Sequence, residues 1–234
     1  MLDFNKYKAI TFDCYGTVID WEFGITQSLQ PILKKHNVTI PDEQLLEVYA
    51  EIEAECEKEF ALYSEILRKV VVGLGYRYNL ILDGKEINTL VDNFDKWIPF
   101  PDSIKSLKLF KTKYKIGPIT NVDKNLFSIT QRLLGIEFDY IITAEDVGSY
   151  KPFLENFKLA IQHLNRLGIK KEEILHIAQS HYHDIIPANQ LGINTVWINR
   201  RYGKKGFGAT PNSQGKPNIE VTSLESLVKI IGIN

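Results

Sequence analysis

The chain has 234 residues, 44% of them hydrophobic, with 28 basic and 29 acidic side chains and a formal net charge of −1. That length suits one α/β domain with a smaller satellite, and the balanced charge excludes a global electrostatic pull on nucleic acid or anionic membrane. No stretch approaches the ~18 uninterrupted apolar residues of a membrane span, the first residues lack the pattern of a signal peptide, and the two cysteines, Cys14 and Cys56, suggest no disulfide framework. The expectation is a cytoplasmic protein with no nucleic-acid and no membrane partner.

Tyr7–Phe12 is a short apolar run ending in Asp13 and reads as a buried first strand. Cys14-Tyr15-Gly16-Thr17 follows as a loop, Gly16 permitting a tight path. From Trp21 to Trp97 helical patterns dominate: Gly24–Lys35, Asp42–Phe60 with Asp42 as N-cap, Leu62–Gly73 and Glu86–Trp97, with Tyr76–Leu82 ambiguous. From Pro99 onward strands and helices alternate. The strands are Lys115–Thr120, Tyr140–Thr143, Ile174–Ala178, Thr195–Ile198 and Glu220–Val221; the helices are Asp102–Lys111, Lys124–Leu134, Phe153–Leu167, His183–Leu191 and Leu224–Ile231. This rhythm predicts an α/β fold with a Rossmann-like, mainly parallel sheet covered by helices on both faces. Residues 1–20 and 99–234 are expected to form that core, and residues 21–98 an inserted helical cap domain. Arg201–Lys216 reads as an exposed loop whose Gly203, Gly206 and Gly208 lack the strand-to-helix context of a nucleotide fingerprint.

Right-handed crossovers place every strand C-terminus along one edge, where open α/β sheets bind ligands. Asp13, Thr120-Asn121, Asp146–Lys151 and Gln179–Asp184 all follow apolar strands, so four loops converge on one crevice. Each residue alone has a plainer explanation. Asp13 could cap a turn, Thr120, Asn121 or Asp123 could cap the next helix, Lys151 could be a solvated lysine, and Asp184 a first-turn acid. Together they offer a strand-end carboxylate nucleophile in Asp13, an ammonium that favours its charged form in Lys151, hydrogen-bond donors in Thr120 and Asn121, and a residue to pair with Lys151 or orient water in Asp184. His176, His181 and His183 lack the spacing of a zinc site. Cys14 reads as a small buried filler.

The segment Phe12-Asp13-Cys14-Tyr15-Gly16-Thr17 resembles the first motif of the haloacid dehalogenase superfamily, Thr120-Asn121 its second, Lys151-Pro152 its third and Gln179–Asp184 its fourth. Trp197-Ile198-Asn199-Arg200 resembles a strand ending of the 2-haloacid dehalogenase branch, and the helical block resembles the superfamily's cap. Phosphatases of the superfamily resemble D-x-D-x-T, but Tyr15 stands at the second aspartate, and a phenol of pKa near ~10 is a poor acid–base group at neutral pH. Gln179 stands where those phosphatases place a magnesium-binding acid, which weakens such a site. The resemblance therefore implies a metal-independent, cofactor-free hydrolase acting on a small-molecule substrate such as a 2-haloacid or another small organic acid. Asp13, Lys151 and Asp184 would be catalytic, and Tyr15, Thr120, Asn121, Gln179 and His183 would contact substrate. A homodimer is also suggested. The branch's cap arginine has no clear counterpart: Glu51 or Ala50 falls near it, inside the acidic run Glu47–Glu59, while Arg68 and Arg77 are not obvious equivalents. Two alternatives stand beside this reading, a Mg²⁺-dependent phosphatase-type hydrolase and a non-catalytic binding protein that retains the fold.

Overall fold

The structure, a computed structural model, describes residues 2–233. The apolar runs form strands β1 (Ala9–Phe12), β2 (Lys115–Thr120), β3 (Ile142–Thr143), β4 (Ile174–Ala178), β5 (Asn194–Ile198) and β6 (Ile219–Val221). Among the described residues they build one six-stranded sheet in the order β3-β2-β1-β4-β5-β6, every pair parallel. Between β1 and β2 run α1 (Trp21–Lys35), α2 (Asp42–Cys56), α3 (Tyr63–Tyr78), α4 (Gly84–Ile87), α5 (Thr89–Asp92) and α6 (Ser103–Lys113). The later crossovers carry α7 (Lys124–Leu134), α8 (Ala144–Val147), α9 (Glu155–Arg166), α10 (Ile186–Gln190) and α11 (Leu224–Ile231). None of these helices is long and apolar enough to cross a membrane.

Both faces of the sheet are covered, which is why its inner strands read as continuous apolar runs. Alternate residues sort between two buried clusters, as the period of two requires. Ile10, Phe12, Leu175 and Ile177 join one cluster with Phe110 of α6, Phe127 of α7 and Leu227 of α11. Ala9, Ile119 and Ile174 join the other with Phe157 of α9 and Ala188 of α10. The larger cluster continues without a break into the helices between β1 and β2, through Leu29, Tyr49, Leu67 and Phe94.

Several elements differ from the sequence-based expectation for physical reasons. The expected helix Glu86–Trp97 is two short helices and a 3₁₀ turn. Asn88 Nδ2 donates to the Gly84 carbonyl and Asn93 Nδ2 to Thr89 Oγ1, local bonds that compete with the helical ladder. The helix expected to reach Phe60 ends at Cys56, and the following stretch of chain is drawn to the sheet, where the Tyr150 hydroxyl donates to the Ala61 carbonyl. The ambiguous Tyr76–Leu82 is helical as far as Tyr78, and Asn79 stops it with a left-handed φ of 53°. β3 holds only two residues: Tyr140 turns inward, its hydroxyl donating to the Ile10 carbonyl at 2.9 Å, and its own carbonyl lies against Gly117, where a Cβ would stand 2.3 Å away.

Strand order reverses at β1, which pairs with β2 on one side and β4 on the other. The crevice beyond the ends of β1 and β4 is therefore the topological switch point, where such sheets take ligands. Asp13 follows β1, and a π-type turn, His181–Ile185, follows β4 and leads into α10.

Candidate active site

Asp13 extends β1 by one rung, its amide donating to the Ile177 carbonyl at 3.0 Å. Its side chain is thereby fixed at the sheet edge, 6% exposed. Lys151 Nζ donates to Asp13 Oδ1 at 2.8 Å, to Asp184 Oδ1 at 2.8 Å and to the Ile119 carbonyl at 3.0 Å. Those three bonds use every proton of the ammonium, and Lys151 itself is 2% exposed. Asn121 aligns the lysine backbone, its Oδ1 accepting from Lys151 N at 2.7 Å while its Nδ2 donates to the Lys151 carbonyl at 3.3 Å. Thr17 Oγ1 donates to Asp13 Oδ2 at 2.7 Å and accepts from Gln179 N at 2.8 Å, joining the two loops at the switch point. Gly16 makes this turn with φ +93°, a left-handed value open to glycine.

Asp184 is fully enclosed and is held from two sides, by Lys151 and by His176 Nε2 at 3.1 Å. His176 in turn meets Thr11 Oγ1 at 2.8 Å across the β1–β4 pairing. Burial works against ionisation of Asp184, but Lys151 and His176 outweigh it and hold this carboxyl below its usual range. For Asp13 the balance falls the other way. Burial pushes it up, Lys151 pulls it back, the Asp184 charge pushes it up again, and the net direction is upward. Burial disfavours the charged form of Lys151, but the two carboxylates raise it overall, so the ammonium persists. One cation shared by two buried carboxyls thus leaves Asp184 as the firmer anion and Asp13 as the group that binds a proton first.

Above Asp13 lies a cavity with about 30 Å³ open to the centre of a water molecule, room for roughly one or two waters. Asp13, Tyr15, Asn121, Lys151 and His183 line it, with Trp21, Glu53, Glu57, Tyr63 and Val122. Five of the eight residues singled out in the sequence therefore meet at one space. Asp184 stands behind Lys151, outside the lining. Thr120 is fully buried, its Oγ1 serving the Val122 amide, and the Gln179 side chain faces Thr210 on the outer side. Neither reaches the cavity. Tyr15 is immobilised, its hydroxyl 2.7 Å from Thr130 Oγ1 and its ring against Phe94 and Trp97, and burial raises its pKa well above the ordinary phenol value. Burial holds His183 down to about 4, the Asp184 charge opposing and the Lys151 charge assisting, so its imidazole is neutral at pH 7.

The helical segment contributes acids and no cation. Arg68 bonds Asn88 and the Ser64 carbonyl, Arg77 bonds Glu51, and neither lines the cavity. Glu53 and Glu57 do. Glu53 Oε1 accepts from the Tyr49 hydroxyl at 2.9 Å and from the Tyr63 hydroxyl, and Glu57 Oε1 accepts from Asn121 Nδ2 at 3.3 Å. Sequence reasoning missed both. Their signal was periodicity: Leu46, Tyr49, Ala50 and Glu53 fall on the buried stripe of α2, so a carboxylate occupies a place where the pattern calls for an apolar residue.

A magnesium ion is a poor match for these donors. Both Asp13 oxygens and Asp184 Oδ1 are engaged by Lys151, Thr17 and His176, which leaves Asp184 Oδ2 as a buried oxygen without a partner. Gln179 supplies no carboxylate and is turned away. Among the described residues no three Asp, Glu, His or Cys side chains cluster as a metal site, whereas Mg²⁺ demands near-octahedral oxygen ligation.

A parallel sheet of this order, with a strand-end aspartate bridged to a second one by a buried lysine, defines an open α/β fold that carries a carboxylate–ammonium pair at its switch point. The chain belongs to the haloacid dehalogenase-like hydrolase family, whose sequence profile matches residues 7–192. It is 36% identical over 138 residues to a glyceraldehyde 3-phosphate phosphatase of Methanocaldococcus jannaschii, covering 57% of this chain and 56% of that one. It is 29% identical over 157 residues to an (S)-2-haloacid dehalogenase of Pseudomonas sp. (strain YL), covering 64% and 62%. The matches thus span less than two thirds of these relatives. Among solved structures, a defluorinating L-2-haloacid dehalogenase superposes with a TM-score of 0.79 at 22% identity, covering 97% of this chain and 95% of that one; at that identity the likeness is one of fold.

Proposed function

We propose that this protein is a metal-independent hydrolase that displaces halide from a small 2-haloacid with the carboxylate of Asp13, then hydrolyses the resulting aspartyl ester to a 2-hydroxyacid of inverted configuration. The observation that carries the reading is the bridge from Lys151 to Asp13 and Asp184 at 2.8 Å each. It supplies the balancing cation from the chain itself and fixes the nucleophile beside a small cavity. Departing halide needs no proton and leaves no phosphate charge to neutralise, so neither the second aspartate nor the metal of a phosphatase is required. Asn121 lines the cavity, and its Nδ2, which donates to Glu57 Oε1 at 3.3 Å, is the donor that would turn from Glu57 to receive halide. Asp184 holds Lys151, and through it the nucleophile. Burial pushes Glu53 up to about 7 and Glu57 is raised as well, so at neutral pH Glu53 meets an anionic substrate in part as a neutral hydrogen-bond donor.

Halide release from 2-chloropropionate tests this reading. Wild type should release halide equally well with and without chelator, and Asp13→Asn should release none. Equal release by both proteins would sink it. The 36% identity to a phosphatase favours a second reading, Mg²⁺-dependent release of phosphate from a sugar phosphate; phosphate release that chelator abolishes would select it.

A further inference from the structure

Hydrolysis of an ester on Asp13 requires a group that takes a proton from water and gives one to the departing alkoxide. The residues expected to help are unsuited to it. Lys151 has no free proton to move, Asp184 is enclosed behind it, and Tyr15 is bound to Thr130. His183 remains, but an imidazole held near 4 is a weak base for water.

The helical segment places a better group opposite the nucleophile. Tyr49, Glu53 and Glu57 succeed one another at intervals of four on α2 and the residue after it, and so share one face. Glu53 is 4% exposed and lines the same cavity of about 30 Å³ as Asp13, which has room for a water or two. Both tyrosyl hydroxyls act on Oε1. This fixes the carboxyl group while Oε2 accepts no bond from any described residue. No described lysine or arginine pairs with Glu53 or Glu57. The charged and titratable groups around Glu53 are Tyr49 and Glu57 on its own side, Tyr63 of α3, Asp13 and Tyr15 after β1, Lys151 before α9 and His183 in the π-type turn.

We propose that Glu53 is the general base, and then the general acid, for hydrolysis of the ester formed on Asp13. This rests on the reading of Asp13 as nucleophile. Water attacks Cγ of the Asp13 ester while the Glu53 carboxylate takes one of its protons, giving a tetrahedral oxyanion. Collapse breaks the bond between Cγ and the substrate-bound oxygen. Glu53 returns its proton to that oxygen, which leaves as the hydroxyl of the product, and the regenerated Asp13 carboxylic acid sheds its proton to solvent. Burial suits Glu53 to both roles. It pushes the carboxyl up to about 7 against the pull of the Tyr63 and Tyr49 hydroxyls, near the value best suited to proton transfer at neutral pH. Burial and the Glu53 charge push Glu57, the neighbouring carboxyl, well above its ordinary value.

The test is a single-turnover reaction with 2-chloropropionate, followed by halide release and by intact-protein mass. Glu53→Gln should release one equivalent of halide, then stall with the ester on Asp13, its hydrolysis slowed by about 10²–10⁴-fold. In wild type, ester breakdown should fall away below pH ~7 as Glu53 gains a proton. Tyr63→Phe should move that limb to higher pH, because it removes a hydrogen bond to the charged form, a shift that a merely structural glutamate would not produce. If Glu53→Gln hydrolyses the ester at the wild-type rate, or retains the limb, Glu53 has no such role and Asp13 keeps its own. If wild type forms no ester and releases no halide, the nucleophile reading fails and takes this assignment with it.

Discussion

Replacing Lys151 by methionine removes the ammonium while keeping an unbranched side chain of similar length. Three hydrogen bonds disappear, two to carboxylates at 2.8 Å and one to the Ile119 carbonyl at 3.0 Å. The Asp13 and Asp184 side chains, 9% and 1% exposed, are left facing each other without a cation. Breaking a buried ion pair by deleting one partner costs about 3–5 kcal/mol. For a chain of this size each kcal/mol lowers the melting temperature by about 2–4 °C, so a fall of roughly 6–20 °C is expected at pH 7. The loss should also carry a pH signature. In wild type, Asp184 titrates below its ordinary value, so its stabilisation is full above the unfolded pKa and is lost as pH falls through the lower folded value. Without Lys151, burial dominates both carboxyls, their folded pKa values rise above the unfolded ones, and the slope reverses. The variant should therefore recover ground on wild type between pH 7.5 and pH 5.5. Urea unfolding at the two pH values measures this. A loss below about 1 kcal/mol that does not change with pH would refute the picture of one ammonium balancing two buried carboxylates.

Thr17→Val should cost about 1–3 kcal/mol, because it removes a bond to Asp13 Oδ2 and strands the Gln179 amide; it should also push Asp13 further up, moving the acid limb of ester formation to higher pH. Glu53 holds its proton to about 7 in the fold against an ordinary value near ~4.3, so wild-type stability should fall as pH rises between those limits. Glu53→Gln should flatten that slope and be the more stable protein above pH ~7, by up to roughly 3 kcal/mol, in denaturation curves read at several pH values. Gly117→Ala should destabilise by about 1–3 kcal/mol in the same assay, since its Cβ would meet the Tyr140 carbonyl at 2.3 Å.

What was legible in the sequence follows from where each signal is written. β1, β2 and β4 are continuous apolar runs because both faces of the sheet are covered, and the polar residues just after them mark the edge that holds Asp13, Asn121, Lys151 and His183. Order along the chain was enough to bring these to one space. Thr120 and Gln179 sit at the same edge yet turn elsewhere, because facing direction depends on side-chain bonds to Val122 and Thr210 that spacing does not encode. Glu53 and Glu57 were hidden for a related reason. They arrive from a helix distant in sequence, and only the packing of α2 against α1 and α3 decides that its buried stripe meets Asp13. The break of Glu86–Trp97 into short turns was written locally, in Asn88 and Asn93, but asparagine in an otherwise periodic segment is a weak breaker until its side-chain bonds are seen.

Every chemical role proposed for the site requires that Asp13 form a covalent bond to the substrate. A single turnover of a 2-haloacid, with protein in excess and in water enriched in heavy oxygen, asks this with no intervening assumption. If Asp13 attacks carbon, the product takes its hydroxyl oxygen from the aspartate, and the heavy isotope appears in the peptide containing Asp13. Heavy oxygen in the product of that first turnover, with an unlabelled Asp13 peptide, would show that water attacks the substrate directly and that Asp13 is not the nucleophile.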